Sequence, residues 1–129
     1  MDSKHLRIGN LFQEKKTKEI IKVIELSQEK IVFTGMFSGE WQAEPIPLTE
    51  EWLLKFGFIR NQINTISEVI DVSGNDKLLE FEVTEMGLDL WISSDKIDEA
   101  LYFPVNYIKY VHQLQNLFFS LCGEELQLK

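Results

Sequence analysis

The sequence predicts an α+β fold: a mostly antiparallel, strongly curved sheet or small barrel, with a short central helix and a C-terminal amphipathic helix. Short apolar runs separated by turn residues recur between residues 5 and 93, as expected of antiparallel strands. Start and stop signals of a short helix lie near residue 50, and apolar residues recur at helical spacing close to the C-terminus.

The length and composition indicate a single domain, residues 1–129. A chain of 129 residues with 44% hydrophobic side chains has enough apolar material for a core without a disulfide or metal. No repeat and no Pro/Gly/Ser-rich linker marks a boundary. The apolar content is spread along the chain, which argues against disorder.

The first part of the chain predicts three strands, at residues 5–12, 19–26 and 31–37. The second strand has Ile and Val at both odd and even positions, so we expect it to be central in its sheet and covered on both faces. A short helix follows. Thr49 is its predicted N-cap, Leu48 and Leu53 form a hydrophobic staple, and Gly57 supplies the left-handed stop.

The second part predicts a three-stranded meander and a long helix, after an undecided stretch at residues 59–66. The strands are residues 67–72, 78–84 and 88–93, with turns at 73–76 and 85–87. The helix is predicted to begin after Asn106 and to end at Gly123. Its apolar stripe leaves a polar side, which consists of Lys109, His112, Gln113, Asn116 and Ser120.

The charged residues that give the net charge of −8 are unevenly distributed along the chain. Residues 1–30 hold seven Lys or Arg against five acids, whereas residues 68–99 hold ten acids against Lys77 and Lys96. Binding to nucleic acid needs clustered cations, and the chain offers only the short run Lys15, Lys16, Lys18 and Lys22. The pattern therefore disfavours direct nucleic-acid binding and is compatible with a basic protein partner or with mimicry of nucleic-acid charge.

The chemistry-bearing residues do not form a recognisable catalytic set. With two histidines and one cysteine, the sequence offers no paired metal-ligand spacing and no nucleophile–base motif. Cys122 lies on the apolar stripe of the last helix and is interpreted as a buried packing thiol. We therefore expect a non-enzymatic protein without a catalytic residue, metal or cofactor. With no apolar leader or membrane span, a cytoplasmic location is expected.

The candidate binding residues are aromatic and polar side chains on predicted strand and helix surfaces. By alternation, Trp91 shares a strand face with Asp89, and Glu80 and Glu82 share the face of the preceding strand. Whether Trp91 is exposed for interaction or covered by another element stays open, as it does for Trp41. The remaining candidates are Arg7 near the N-terminus and the polar cluster His112, Gln113 and Asn116 on the last helix. This cluster is capable of hydrogen bonding a ligand or neighbouring backbone, and the second role is the favoured one.

Four segments resemble a known family. They are residues 6–10, the motif PIPLTEEWLLKFGF at 45–58, YVHQLQNL at 110–117, and residues 123–126. They are similar to small uncharacterised proteins encoded by phages, prophages and mobile elements, chiefly of the Bacteroidetes, whereas residues 61–104 depart freely from the pattern. The resemblance implies a bacterial host cytoplasm and a setting in which small acidic proteins often counter host defence. It implies no catalytic residues.

The leading hypothesis is a binding protein that presents an acidic surface with Trp91, or the polar side of the last helix, to a host protein. The alternative is a homo-oligomer that sequesters a nucleotide signal or another small ligand. In that alternative, aromatic side chains stack a base, and Arg7, Arg60 or Lys109 contacts phosphate.

Overall fold

The computed structural model describes residues 6–27, 31–34, 42–62, 65–72, 75–84, 87–94, 103–105 and 108–129. These residues form an α+β fold of antiparallel sheets, with a strongly curled, half-barrel sheet and two helices, one of them C-terminal. The predicted fold class is confirmed.

The first sheet has four strands in the order β3-β2-β1-β4. Their bounds are β1 Leu11–Glu14, β2 Ile20–Leu26, β3 Ile31–Phe33 and β4 Ala43–Pro45. The predicted second strand is confirmed as an inner strand, but only one of its faces is covered. Ile21 and Val23 are buried, whereas Ile20 and Ile24 on the opposite alternation are 45% and 48% exposed.

The first predicted strand is shifted along the chain: it begins at Leu11 and not at residue 5. The backbone of residues 7–10 turns back on itself, since the Asn10 amide donates to the Arg7 carbonyl. The Asn10 side chain closes the turn by accepting from the Arg7 amide at 2.7 Å. Gly9, with a φ of 99°, allows this turn, which residues with a side chain rarely adopt. Of the predicted third strand, residues 35–37 lie outside the described residues.

The second sheet has five strands in sequential order, β5-β6-β7-β8-β9. They are β5 Ile59–Gln62, β6 Thr65–Val72, β7 Asn75–Thr84, β8 Gly87–Ser94 and β9 Phe103–Val105. The predicted meander is confirmed, and its central hairpins are longer than expected because Val72 pairs with Asn75 and Thr84 with Gly87. The undecided stretch supplies β5 and the start of β6.

The short helix α1, Glu50–Lys55, matches its sequence signals closely. Thr49 is the N-cap, and its side chain accepts from the Trp52 amide at 3.4 Å. Gly57 has a φ of 91°, and the Phe58 amide then donates to the Leu53 carbonyl at 3.0 Å. The left-handed glycine thus ends the helix as predicted.

The long helix α2, Val111–Cys122, ends at the left-handed Gly123 as predicted, but its predicted start at Asn106 is wrong. The N-cap is Tyr110, and residues 106–107 lie outside the described residues. The segment before the helix instead pairs with residues 46–48. The Leu48 amide donates to the Lys109 carbonyl, and the Val111 amide donates to the Ile46 carbonyl at 2.9 Å. This pairing holds residues 109–110 in an extended conformation, so the helix begins only at Val111.

Helix α2 contacts both sheets, which produces two clusters of buried side chains. The main core joins the inner face of the second sheet, α1 and α2, with Leu53, Phe81 and Leu114 fully buried. The smaller cluster lies on the first sheet around Phe12. Leu11 belongs to the main core while its neighbour Phe12 belongs to the smaller one, so β1 contributes to both.

Candidate interaction surface

One row of side chains crosses the outer face of the second sheet, away from the main core. Strand register aligns Ile59 with Ser67, Ser67 with Glu80, and Glu80 with Trp91. The next row places Glu82 directly opposite Asp89. Because directly paired residues point to the same side of a sheet, these residues share one face, here named the acidic face.

The structure brings together four of the predicted binding residues on the acidic face. They are Glu80, Glu82, Asp89 and Trp91. Glu82 and Asp89 are exposed, while Glu80 and Trp91 are half-buried. Trp91 is therefore neither fully exposed nor covered, and Ser67, between Ile59 and Glu80 in the same row, is buried. Trp41 lies outside the described residues.

Negative charge on the acidic face is not neutralised by the cations that the structure describes. Among the described residues, no Lys or Arg forms an ion pair with Glu80, Glu82 or Asp89. Like charges placed directly opposite on neighbouring strands are destabilising, at a cost within about 0.2–1 kcal/mol. The Glu82–Asp89 pair therefore does not contribute to folding through charge, and both carboxylates are exposed to an incoming partner.

Arg7 and Asn116 are brought together, but in an internal network. The Arg7 guanidinium forms an ion pair with Glu125 and lies 3.7 Å from the centre of the Phe119 ring. Asn116 accepts from the side chain of buried Asn10 at 2.8 Å and from Arg7 at 3.5 Å. These contacts join the N-terminal turn to α2 and to the segment that follows α2. Arg7 and Asn116 therefore stabilise the fold.

His112 and Gln113 also contact the protein itself. The sequence pattern places His112 on the polar side of the last helix, but this residue is buried and stacks on Phe12, with ring centres 4.8 Å apart. The Gln113 side chain accepts from the amides of Lys109 and Tyr110 and caps the helix. His112 is buried because α2 packs against two sheets and buries a wider surface than one apolar stripe, whereas Gln113 is half-buried and bonds to neighbouring backbone.

Two buried polar residues were missed by the sequence patterns. Gln115 accepts from the Leu11 amide at 2.8 Å and donates to the Gly9 carbonyl at 3.2 Å, so it connects α2 to β1. Glu14 is buried and accepts from the Lys16 and Thr17 amides in the loop after β1. Gln115 lies within the segment 110–117 that carries the resemblance, but neither its spacing nor that of Glu14 indicates a backbone partner, so the sequence patterns did not predict these contacts.

The remaining chemistry-bearing groups do not form a site in the described part of the chain. Cys122 is half-buried, not buried as predicted, and its thiol donates to the Phe118 carbonyl at 3.2 Å. No three His, Cys, Asp or Glu side chains among the described residues are grouped to hold a metal ion. Within the same residues, neither helix is long and apolar enough to cross a membrane.

The fold and this surface define the class as an α+β protein of antiparallel sheets with an acidic, aromatic-containing outer face. Comparisons with protein-family models, curated proteins and solved structures each gave no match. The chemistry of the acidic face is therefore the basis on which a function can be proposed.

Proposed function

We propose that the protein acts by binding another protein through the acidic face. The observation that carries the proposal is the alignment of three carboxylates with Trp91 on the paired strands β7 and β8. Aromatic side chains supply much of the binding energy at protein interfaces, and carboxylates steer a partner of opposite charge. The partner that this surface fits is a protein with a basic patch.

The setting of this function rests on the family resemblance. A small protein of a phage or mobile element that exposes an acidic surface would counter host defence by occupying a basic surface of a host protein. Binding alone is sufficient for this activity, so the proposal includes no reaction and no cofactor.

Affinity capture from a bacterial host lysate, read by mass spectrometry, tests the proposal. The binding variant is Glu80→Gln/Glu82→Gln/Asp89→Asn, which removes three negative charges from the acidic face. A matched control, Glu19→Gln/Glu25→Gln/Glu51→Gln, removes three from exposed carboxylates elsewhere. A host protein retained by the wild type and the control but lost from the binding variant supports the proposal. Equal capture by both variants would overturn it.

The Glu82→Gln substitution separates binding from stability. It removes the repulsion between Glu82 and Asp89, so we expect the free energy of unfolding to rise by about 0.2–1 kcal/mol. The same substitution should weaken partner binding, because it removes one of the carboxylates that the proposal uses. Urea unfolding measures the first effect and calorimetric titration of the captured partner the second. Loss of stability together with unchanged binding would contradict both expectations.

The nucleotide-sequestering alternative receives less support from the described residues. Two of its three phosphate-binding candidates are already paired, Arg7 with Glu125 and Arg60 with Glu50 at 2.8 Å. A ligand phosphate would have to compete with both carboxylates. The third candidate, Lys109, is exposed.

A further inference from the structure

A second surface of opposite character lies on the first sheet. Ile20, Lys22 and Ile24 project from the uncovered face of β2, and both isoleucines are about half exposed. The turn that carries Ile8 lies beside them, because the Gly9 amide donates to the Val23 carbonyl at 2.8 Å. Ile8 is 59% exposed. Three isoleucines thus surround one lysine on a surface that the rest of the described chain leaves open.

This surface continues into a concavity. Ile8 and Lys22 line a groove of about 290 Å³ together with the buried side chains of Leu11, Phe56 and Leu126. The three buried residues belong to the main core, so the groove reaches apolar side chains that are fixed by packing. A groove of this kind accepts single apolar side chains of a partner, which a flat surface does not. Ile20 and Ile24 share the open face of β2 with Lys22 and lie outside the lining of this concavity. The surface formed by Ile8, Ile20, Lys22, Ile24 and the concavity is named the isoleucine groove.

The charge beside the isoleucine groove is positive, in contrast to the rest of the molecule. The loop before β2 and the strand itself, residues 15–26, carry four lysines against two acids, Glu19 and Glu25. Lys18 is paired with Glu44, and the Lys15 amide donates to the Gln42 carbonyl at 2.9 Å on the same side of the hairpin, so Lys22 is the lysine that lines the groove. Glu125, the acid that lines the groove, is already held by Arg7.

We propose that the isoleucine groove binds an acidic amphipathic peptide segment of a partner protein, with apolar side chains in the concavity and on the exposed isoleucines and a carboxylate on Lys22. Exposed apolar patches bordered by charge are typical of interaction sites. An anionic membrane or a nucleic acid fits less well, because the whole chain carries a charge of −8 and repels extended anionic surfaces. A short acidic peptide would contact only the surface around Lys22 and would avoid the acidic remainder of the chain.

Selection from a displayed library of random twelve-residue peptides tests this site. We expect enrichment of peptides in which Asp or Glu alternates with Leu, Ile or Phe. Binding of an enriched synthetic peptide, measured by fluorescence anisotropy, should weaken about tenfold or more in Lys22→Glu and in Ile24→Thr, as loss of a charge pair or a buried apolar contact predicts. Both positions are exposed, so both variants should fold, which circular dichroism verifies.

Matched controls use comparable substitutions elsewhere on the surface. Lys109→Glu reverses an exposed lysine and Leu54→Thr shortens an exposed aliphatic side chain on α1, so neither should change peptide affinity. The proposal is overturned if no acidic peptides are enriched or if Lys22→Glu binds as the wild type does. It is equally overturned if vesicles containing phosphatidylserine, or a second copy of the chain, occupy the groove in a Lys22-dependent manner. None of these outcomes depends on the acidic face.

Discussion

His112 is buried although the sequence pattern places it on the polar side of the last helix. Its ring lies between Phe12 and Tyr110, whose ring centres are 4.8 Å and 6.0 Å away. Among the described residues, its buried Nδ1 atom finds no hydrogen-bond partner. A buried polar atom without a partner costs stability, and the stacked rings offset part of that cost.

The burial of His112 predicts a pH dependence of stability. Desolvation lowers the pKa of this imidazole below its ordinary 6.5, so the unfolded chain binds the proton more readily than the folded protein. Stability from this residue is fully present above about pH 6.5 and falls as the pH decreases toward the folded pKa. His112→Phe keeps the stacked rings and removes the proton site. Urea unfolding at pH 7.5 and 5.5 should show a smaller loss for the variant than for the wild type, by up to about 1 kcal/mol.

The wild type and the variant share every carboxylate, so acid titration of Asp and Glu cancels in this comparison. At pH 7.5 the variant should be less stable than the wild type by no more than about 1–3 kcal/mol, because Phe is larger than His and the site is packed. An equal loss between the two pH values in both proteins would show that His112 does not titrate in this range.

At the scale of elements, α2 is held by two kinds of contact. Its apolar residues pack into the main core, and Gln115 forms hydrogen bonds with the backbone of residues 9–11. Apolar packing orients the helix against the second sheet, whereas Gln115 fixes its position along β1.

Gln115→Ala should therefore destabilise the protein despite removing a polar residue. The substitution leaves the buried Leu11 amide without its acceptor, for an expected cost of about 1–3 kcal/mol. Gln127→Ala, at an exposed position in the segment after α2, is the control and should stay within about 0.5 kcal/mol of the wild type. Thermal and urea unfolding measure the stability of both variants. Equal stabilities would contradict the stabilising role of the Gln115 hydrogen bonds.

For the whole molecule, the contacts of α2 and β1 with both clusters predict cooperative unfolding. Phe12 is fully buried in the smaller cluster and contacts both Phe33 and His112. Phe12→Ala should reduce the free energy of unfolding by about 3–5 kcal/mol. We expect tryptophan fluorescence and far-UV circular dichroism to lose signal at the same urea concentration in the wild type. Separate transitions would show that the two sheets unfold independently.

Local signals were sufficient for the elements whose interactions lie within a few residues of the chain. Thr49, Gly57 and Gly123 mark helix ends because their cap contacts are made to neighbouring residues. The meander was predictable because alternation in β7 and β8 separates Leu79 and Phe81 from Glu80 and Glu82. Alternation also places Trp91 with Asp89 and Glu80 with Glu82, but the register that aligns the two pairs, Thr84 opposite Gly87, is given by the structure.

The sequence by itself determined the α+β class, the short helix, the meander and the excess of acids in residues 68–99. Only the tertiary structure decided where α2 begins, that His112 and Gln115 are buried, and that the isoleucines of β2 stay uncovered. The physical reason is distance along the chain. Val111 pairs with Ile46, Gln115 with Leu11, and Arg7 with Glu125. The periodicity of residues within one segment cannot predict a contact with a residue so far along the chain.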